Sequence, residues 1–298
     1  MGVRRAVRAL SALGEDRYLK YILVLPCLLL ILFVTLFPTI YAYYLSLHRV
    51  TVETFYRPVF VGLENFRKAI TNREMWYTLF FTALYMVTVT SCEALLGLGL
   101  ALLFNRELKG SKILISLILA PMAVAPALFG IMIKLMLNPY SGIIPYILGR
   151  LGIRFSPLVN FSSAFLTLVV IDVIEWTPFV FIILYSALRA LPSQPFEAAL
   201  IDGASSWQMF KNITVPLLKP AILVALAFRL MDAFKSFDTI YVLTGGGPGI
   251  VTSTISIFIY KQAFLLGDFG YSSAVTIFLF YLSIALATLS TKLLYRPR

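Results

Sequence analysis

The sequence is poor in charged residues, histidine and cysteine. Only 13% of its residues are charged, against about 25% in an average soluble domain. This shortage argues against a soluble globular enzyme, and the apolar composition excludes a disordered chain. His48 is the single histidine, so no group of histidine, cysteine and carboxylate has the spacing of metal ligands. Cys27 and Cys92 both lie within apolar runs, where a structural disulfide is not expected.

Long apolar runs dominate what the sequence does contain. Hydrophobic residues make up 60% of the 298 residues, and the mean hydropathy is +0.89. A membrane-spanning helix needs about 20 mostly apolar residues, and six runs are long enough. These runs are Tyr21–Leu47, Trp76–Phe104, Ile113–Leu137, Phe165–Leu188, Ala221–Tyr241 and Tyr271–Leu294. We therefore predict an all-α membrane protein with about six transmembrane helices.

Basic residues predict the orientation of the chain. The net charge is +11, and Lys and Arg gather at the ends of the apolar runs, where anionic lipid headgroups explain them better than nucleic acid does. An N-terminus on the inside places 14 basic residues in inner segments and nine in outer loops, as the positive-inside rule favours. We expect cytoplasmic termini, a cytoplasmic segment at 1–20, a transmembrane domain at 21–298, and a cytoplasmic loop at about 189–220, called the fourth loop below.

Six charged residues within the apolar runs are of particular interest. A central Asp, Lys or Arg costs roughly 2.5–3.5 kcal/mol in a membrane helix, so these side chains should face one another or water. Asp172 and Glu175 are three residues apart and share a helix face. Because helices that are consecutive in sequence often lie side by side, Arg229 is expected to neutralise Glu175 or Asp172. The six residues are Glu93, Lys134, Asp172, Glu175, Arg229 and Asp232.

These charges allow two interpretations. They either pair only to fix helix packing or line a hydrated solute path, which is the usual hypothesis for ionisable residues in a membrane. Aromatic side chains accompany them and suit a sugar, which presents hydroxyl groups and an apolar ring face; core packing or lipid contact is the alternative for any single ring. The aromatic residues are Trp176, Phe179, Phe234 and Phe237, and the candidate path residues are Asp172, Glu175, Trp176, Arg229, Asp232, Phe234 and Asp238.

The fourth loop has a pattern of its own. Glu197 lies early in a short predicted helix, where a carboxylate suits the positive helix end, and Gly203 ends that helix. A second amphipathic piece is predicted over Ser205–Ile213, and Pro216 and Pro220 are expected to mark the start of the fifth spanning helix. Small and apolar residues suit docking into a groove of another protein, although a helix pair lying on the membrane surface would fit equally well.

The loop also resembles a known family. Glu197-Ala198-Ala199, Gly203 four residues later, and then Ile213 and Pro216 resemble the EAA signature of permease subunits of bacterial and archaeal ABC importers, with Val215 where that family commonly has Leu. Arg229–Gly249 and Phe60–Phe66 are similar to segments of carbohydrate permeases. The resemblance extends over about 20–295 and is greatest to the first of the two paired permeases in maltose, trehalose and glycerol-3-phosphate importers.

The resemblance implies a type I ABC importer permease fold and a set of partners. It implies a second homologous permease, two copies of an ABC ATPase that bind ATP and Mg, an extracytoplasmic solute-binding protein and the surrounding membrane lipid of a prokaryotic inner membrane. This chain itself would hold no cofactor and no catalytic residue. The residues implied to contact the ATPase are Glu197, Ala198, Ala199, Asp202, Gly203, Ala204, Ile213 and Pro216.

Other functions remain open at this point. The glycine run Gly245–Gly249 is not a phosphate loop, because no Gly-Lys-Ser/Thr follows it, so ATP hydrolysis would belong to another chain. An ABC permease for glycerol-3-phosphate, a polyamine or an amino acid is the nearest alternative to a sugar permease. An ion-coupled secondary transporter would also explain the intramembrane charges, but it would not need the pattern of the fourth loop. No sequence pattern of a membrane-embedded hydrolase is present.

Overall fold

The protein is almost entirely helical in the residues that the computed structural model describes, 16–106, 109–152 and 160–294. The helices are α1 (Asp16–Ser46), α2 (Glu64–Thr71), α3 (Arg73–Phe104), α4 (Ser111–Leu119), α5 (Pro126–Met136), α6 (Ile143–Arg150), α7 (Phe161–Arg189), α8 (Gln194–Ile201), α9 (Ser206–Met209), α10 (Val215–Phe234), α11 (Asp238–Thr244), α12 (Ile255–Tyr260) and α13 (Phe269–Leu294). Residues 1–15 of the predicted cytoplasmic segment lie outside the described residues. Helix α1 begins at Asp16 and so includes the last five residues of that segment.

Five helices in the described part of the chain are long and apolar enough to cross a membrane. They are Leu23–Ser46, Arg73–Phe104, Phe161–Arg189, Ser206–Phe234 and Phe269–Leu289. These helices confirm the predicted all-α membrane architecture. The third predicted run contains no helix of this length.

Two prolines divide that third run. A proline has no backbone N–H and clashes with the preceding turn of a helix. Helix α4 accordingly ends at Leu119, a 3₁₀ turn covers Pro121–Ala123, and Pro126 starts α5 in the first helical turn, where proline is tolerated. The run at Ile113–Leu137 is therefore a broken helix and not the continuous span that its hydropathy predicts.

The fifth predicted run ends earlier than its hydropathy predicts. Helix α10 stops at Phe234, and α11 starts at Asp238 after three residues. The hydroxyl groups of Thr254 and Ser256 donate hydrogen bonds of 2.9 and 3.3 Å to the carbonyl oxygens of Ser236 and Lys235. These bonds satisfy backbone groups that a break within an apolar region would otherwise leave unpaired.

The start of this fifth helix also differs from the prediction. Ser206–Phe234 is one continuous helical segment, in which a π-helical turn at Phe210–Thr214 joins α9 to α10. Pro216 lies in the first turn of α10, and Pro220 lies within it without ending it. The second amphipathic piece of the fourth loop is thus the first part of a spanning helix and not a separate short helix.

The two ends of the helix bundle carry different structures. At one end, called the hairpin end, strands β1 (His48–Arg49) and β2 (Val59–Phe60) pair antiparallel, with His48 opposite Phe60. The buried Asn65 side chain of α2 donates 2.9 Å hydrogen bonds to the carbonyl oxygens of Ser46 and His48, which ties α2 to this hairpin. The other end carries the fourth loop and is called the fourth-loop end.

Helices α3 and α7 form the centre of the bundle. Gly97 of α3 lets the two helices approach closely, because an added Cβ would lie 2.8 Å from Cγ1 of Val180. Phe104 and Phe181 pack edge to face with ring centroids 5.6 Å apart, in an apolar cluster that also contains Leu218 of α10. These contacts bring α10 against α3 and α7, and so position the charged residues of all three helices.

Candidate functional site

Arg229, one of the six predicted intramembrane charges, contacts three of the others. The guanidinium of Arg229 contacts both carboxylate oxygens of Glu93, through Nε at 2.6 Å and Nη2 at 2.7 Å. Nη2 also donates to Asp172 at 3.0 Å, and Nη1 donates to Asp232 at 2.6 Å. We call Arg229, Glu93, Asp172 and Asp232 the charge cluster. Two parallel bonds to one carboxylate make the Glu93 contact its most specific pairing.

The charge cluster connects three helices. Glu93 lies on α3, Asp172 on α7, and Arg229 and Asp232 on α10. The side chains of Arg229 and Glu93 are 2% and 0% exposed, whereas that of Asp232 is 55% exposed. A buried ion pair adds little net stability because of its desolvation cost, but loss of one partner leaves an uncompensated buried charge. The arginine therefore makes the burial of Glu93 and Asp172 tolerable.

Sequence reasoning identified one of these partners and missed another. The expected pairing of Arg229 with Asp172 is present, but Glu175 does not contact Arg229. One oxygen of Glu175 instead accepts a 3.2 Å hydrogen bond from the hydroxyl of Thr239, and the other has no hydrogen-bond partner in the described part of the chain. Glu93 was not expected as a partner because it is 136 residues from Arg229 in sequence, beyond any helical spacing rule.

Lys134, the remaining intramembrane charge, serves a different purpose. Its Nζ donates a 2.7 Å hydrogen bond to the carbonyl oxygen of Val242, near the end of α11. The last carbonyl groups of a helix lack partners within it, and a cation suits that negative end. Lys134 of α5 thus caps α11 and attaches the two short helices to each other.

Aromatic residues near the charges have separate environments. The ring of Trp176 covers Arg229, with the guanidinium carbon 4.9 Å from its centroid, a cation–π arrangement. Phe234 is buried in the apolar cluster around α3 and α7, which matches the alternative of core packing. Phe237 stacks on Tyr241 with centroids 5.0 Å apart. Phe179 packs edge to face on Phe228 at 6.4 Å.

An open cavity of about 200 Å³ lies beside the charge cluster. Four of the predicted path residues line it, namely Asp172, Trp176, Asp232 and Asp238. The other three predicted residues, Glu175, Arg229 and Phe234, are buried behind its wall and do not line it. The remaining lining residues are Pro126, Ala233, Lys235, Ser236, Phe237 and Thr239. The sequence singled out only Phe237 among them, as an aromatic neighbour of the charges. Three of them, at 235–237, form the break between α10 and α11.

The fourth loop forms a short exposed helix with a defined end. Glu197 lies in the first turn of α8, as the sequence predicts. Gly203 follows the helix with φ of +74°, the left-handed conformation that favours glycine. The N–H of Ala204 donates to the carbonyl of Ala199 at 2.9 Å, and that of Gly203 donates to Leu200 at 3.1 Å. This pair of bonds is a Schellman motif.

Large apolar side chains of this loop point away from the bundle. Leu200, Ile201 and Trp207 are 62%, 87% and 69% exposed. The side of the loop that faces the bundle rests on the ends of α3 and α7, around a cavity of about 310 Å³ that Leu102, Leu188 and Phe196 help to line. The loop therefore presents an apolar surface on a base that is connected to the central helices.

The fold defines a multi-pass helical membrane protein, and the family of the chain is shown by comparison with known proteins. Residues 93–297 match the family described as "Binding-protein-dependent transport system inner membrane component". The chain belongs to this family. It is a permease subunit of an ABC importer and is not catalytic; ATP hydrolysis belongs to a separate chain of such transporters.

Several curated relatives match most of the chain. The trehalose/maltose transport system permease protein MalF of Thermococcus litoralis is 41% identical, over 90% of this chain and 90% of the relative. The trehalose transport system permease protein SugA of Mycobacterium tuberculosis is 33% identical, over 93% and 90%. The sn-glycerol-3-phosphate transport system permease protein UgpA of Agrobacterium fabrum is 32% identical, over 93% and 94%.

A solved structure has the same fold. A chain in the crystal structure of a bacterial alginate ABC transporter, in complex with an alginate pentasaccharide-bound periplasmic protein, matches with a TM-score of 0.80. The match covers 94% of each chain at 20% sequence identity. This likeness confirms the predicted permease fold.

Proposed function

We propose that this permease moves a sugar, a disaccharide or an oligosaccharide, across the cytoplasmic membrane of a prokaryote by alternating access. The cavity beside the charge cluster carries this proposal. Asp172, Asp232 and Asp238 offer carboxylate oxygens that accept hydrogen bonds from hydroxyl groups, and Trp176 supplies an aromatic face. The trehalose and maltose named for its relatives are solutes of this chemistry.

The proposed orientation follows the positive-inside rule. The hairpin end faces the outside, the fourth-loop end faces the cytoplasm, and the termini are cytoplasmic. In this orientation, a solute-binding protein delivers the sugar to the hairpin end, and a second homologous permease completes the transport path. The charge cluster, which joins α3, α7 and α10, holds the wall of that path together.

The proposed coupling surface is α8 with the start of α9. The exposed side chains of Leu200, Ile201 and Trp207 fit a groove on an ABC ATPase, of which the importer holds two copies that bind ATP and Mg. Glu197, in the first turn of α8, and Gly203, just after its end, fix this helix, and the small Ala198 and Ala199 allow close approach. Because the loop rests on the ends of α3 and α7, movement of the ATPase is transmitted to the helices that carry the charge cluster.

Glycerol-3-phosphate is the second candidate solute, because UgpA is named for it. A polyamine or an amino acid has no comparable relative among those described above. An ion-coupled secondary transporter does not fit the family to which the chain belongs.

Co-purification tests this proposal. The tagged chain is purified in mild detergent from its native membranes, and its partners are identified by mass spectrometry. We expect a second six-helix permease, a Walker-type ATPase and a solute-binding protein, and the ligand of that binding protein identifies the solute. Recovery of the folded chain alone would contradict the importer assembly, and a binding protein specific for glycerol phosphate would contradict the sugar.

A further inference from the structure

Glu93 is a member of the charge cluster that does not reach the cavity. It is fully buried in the middle of α3 and is not among the residues that line the cavity. Its carboxylate nevertheless makes two of the four contacts of the Arg229 guanidinium, at 2.6 and 2.7 Å. Burial of a carboxylate costs free energy unless the carboxylate is paired. Since Glu93 is paired with Arg229, its main effect is on the position of that arginine.

Arg229 is only 1% exposed and does not line the cavity. Four of its five N–H donors bond to Glu93, Asp172 and Asp232, and Trp176 covers its plane. The three cavity-lining residues Asp172, Trp176 and Asp232 stand between Arg229 and the cavity. The strongest cation of this region is therefore withdrawn from any solute that the cavity holds.

The charged groups that do line the cavity are mostly acidic. Asp172, Asp232 and Asp238 contribute three carboxyl groups, and Lys235 contributes one ammonium group. Carboxylates accept hydrogen bonds from hydroxyl groups but repel phosphate and carboxylate groups. A solute rich in hydroxyl groups and without charge meets acceptors here, whereas a phosphorylated solute meets repulsion.

We propose that Glu93 is a specificity-determining residue, which holds Arg229 behind the cavity wall and thereby makes the path selective for uncharged polyhydroxyl solutes over phosphorylated ones. This inference rests on the proposed function, since it assumes that the cavity binds the transported solute. Glu93 does not touch the solute and acts by positioning Arg229. The cavity is thus matched to a neutral saccharide, and glycerol phosphate is disfavoured by charge.

A competition experiment on the assembled transporter tests the inference. The complete membrane complex, the permease pair with its ATPase, is purified into lipid nanodiscs without the solute-binding protein, which would impose its own selectivity. Binding of radiolabelled trehalose is measured, and unlabelled trehalose and trehalose 6-phosphate are compared as competitors. For the native complex we expect the phosphate to compete about ten-fold more weakly, since like charges brought together oppose binding.

Substitution of Glu93 separates its effect from general damage. Glu93→Gln keeps the shape of the side chain and removes its charge, which loosens the hold on Arg229, so the ratio between the two competitors should fall at least about three-fold. Glu74→Gln is the matched control, because Glu74 is an exposed acid at the hairpin end of the same helix. The control should leave the ratio unchanged, and Glu93→Asp should restore part of the native ratio.

Each outcome decides between the inference and the function on which it rests. Equal competition by the two sugars in the native complex, or an unchanged ratio in folded Glu93→Gln, would overturn the role of Glu93 while leaving sugar transport intact. Absence of saccharide binding in a native complex that hydrolyses ATP would overturn the proposed solute site, and the inference with it. If Glu93→Gln does not fold, a second variant provides the test. Asp232→Asn removes an acid from the cavity wall, so its ratio between the two competitors should fall below the native ratio. An unchanged ratio in Asp232→Asn would contradict selection by charge.

Discussion

The fourth loop and the charge cluster are built on different principles. In the fourth loop, Glu197 and Gly203 act within a few residues of each other, in a helix and a Schellman turn that depend on local backbone geometry. In the charge cluster, Glu93 and Arg229 are 136 residues apart and meet only because α3 and α10 pack together. Local elements can be recognised by spacing, whereas long-range pairs depend on how helices are arranged.

The two regions should also fail differently. Disruption of the charge cluster leaves charge buried in the bundle and threatens the fold of the chain. Disruption of the fourth loop changes an exposed surface and should affect association with a partner more than folding. The predictions below test this contrast, from the largest expected effect to the smallest.

Loss of Arg229 should have the largest effect. Arg229→Ala leaves Glu93 and Asp172 buried without their cation, which costs about 3–5 kcal/mol. The double variant Arg229→Ala with Glu93→Gln should recover part of the folded yield, measured by size-exclusion chromatography in detergent. Arg229→Ala with Glu175→Gln is the matched control, because Glu175 does not contact Arg229, and equal recovery in both double variants would contradict the observed pairing.

Reversal of charge at Glu197 should weaken binding to the ATPase and spare folding. Glu197 is exposed in the first turn of α8, and a lysine there opposes the positive helix end. We expect Glu197→Lys to lower the amount of co-purified ATPase about ten-fold, with normal membrane insertion. Glu74→Lys, in the first turn of α3 at the hairpin end, should leave association unchanged; normal association of Glu197→Lys would remove α8 from its proposed role.

A smaller effect is expected at Gly203. An added Cβ meets no atom within 4 Å, so only the φ of +74° opposes a side chain. Gly203→Ala should therefore cost the turn roughly 1–2 kcal/mol and reduce ATPase stimulation without loss of folded protein. Gly99→Ala is the control, since Gly99 has equally open space in the helical conformation of α3; similar behaviour of the two variants would show that the turn geometry is unimportant.

The exposed pairs at the hairpin end should contribute least. Lys68 and, more weakly, Arg49 lower the pKa of Glu64 below its ordinary value of 4.5, through contacts of 3.1 Å each. Because the folded pKa is lowered, this contribution is present at neutral pH and is lost as the pH falls below 4.5 through the folded pKa. Glu64→Gln should lower the melting temperature slightly at pH 7 and low salt.

The difference between Glu64→Gln and the native protein should disappear at acidic pH and at high salt, because exposed ion pairs are weak and screened. A loss of stability in Glu64→Gln as large as that in Arg229→Ala would mean that exposed and buried ion pairs contribute equally.

Much of the fold could be predicted from the sequence. Hydropathy located the apolar segments, because a bilayer requires a length of about 20 apolar residues. The exceptions were positions where backbone chemistry interrupts an apolar run. Pro121 and Pro126 divide the third run, and their effect is readable from sequence. The break after Phe234 is not, because the hydroxyl groups that stabilise it come from Thr254 and Ser256.

The candidate site shows the same division. By itself, the sequence determined that charged groups lie in the membrane and must face inward, that Glu197 lies early in a short helix which Gly203 ends, and that the chain resembles importer permeases. These properties depend on composition and on residues close together in the chain. Only the tertiary structure decided that Arg229 binds Glu93 and not Glu175, and that Asp238 and Asp232 share one cavity. Which charges meet is determined by the packing of α3, α7 and α10, through contacts such as that of Gly97 with Val180, and no local pattern contains that information.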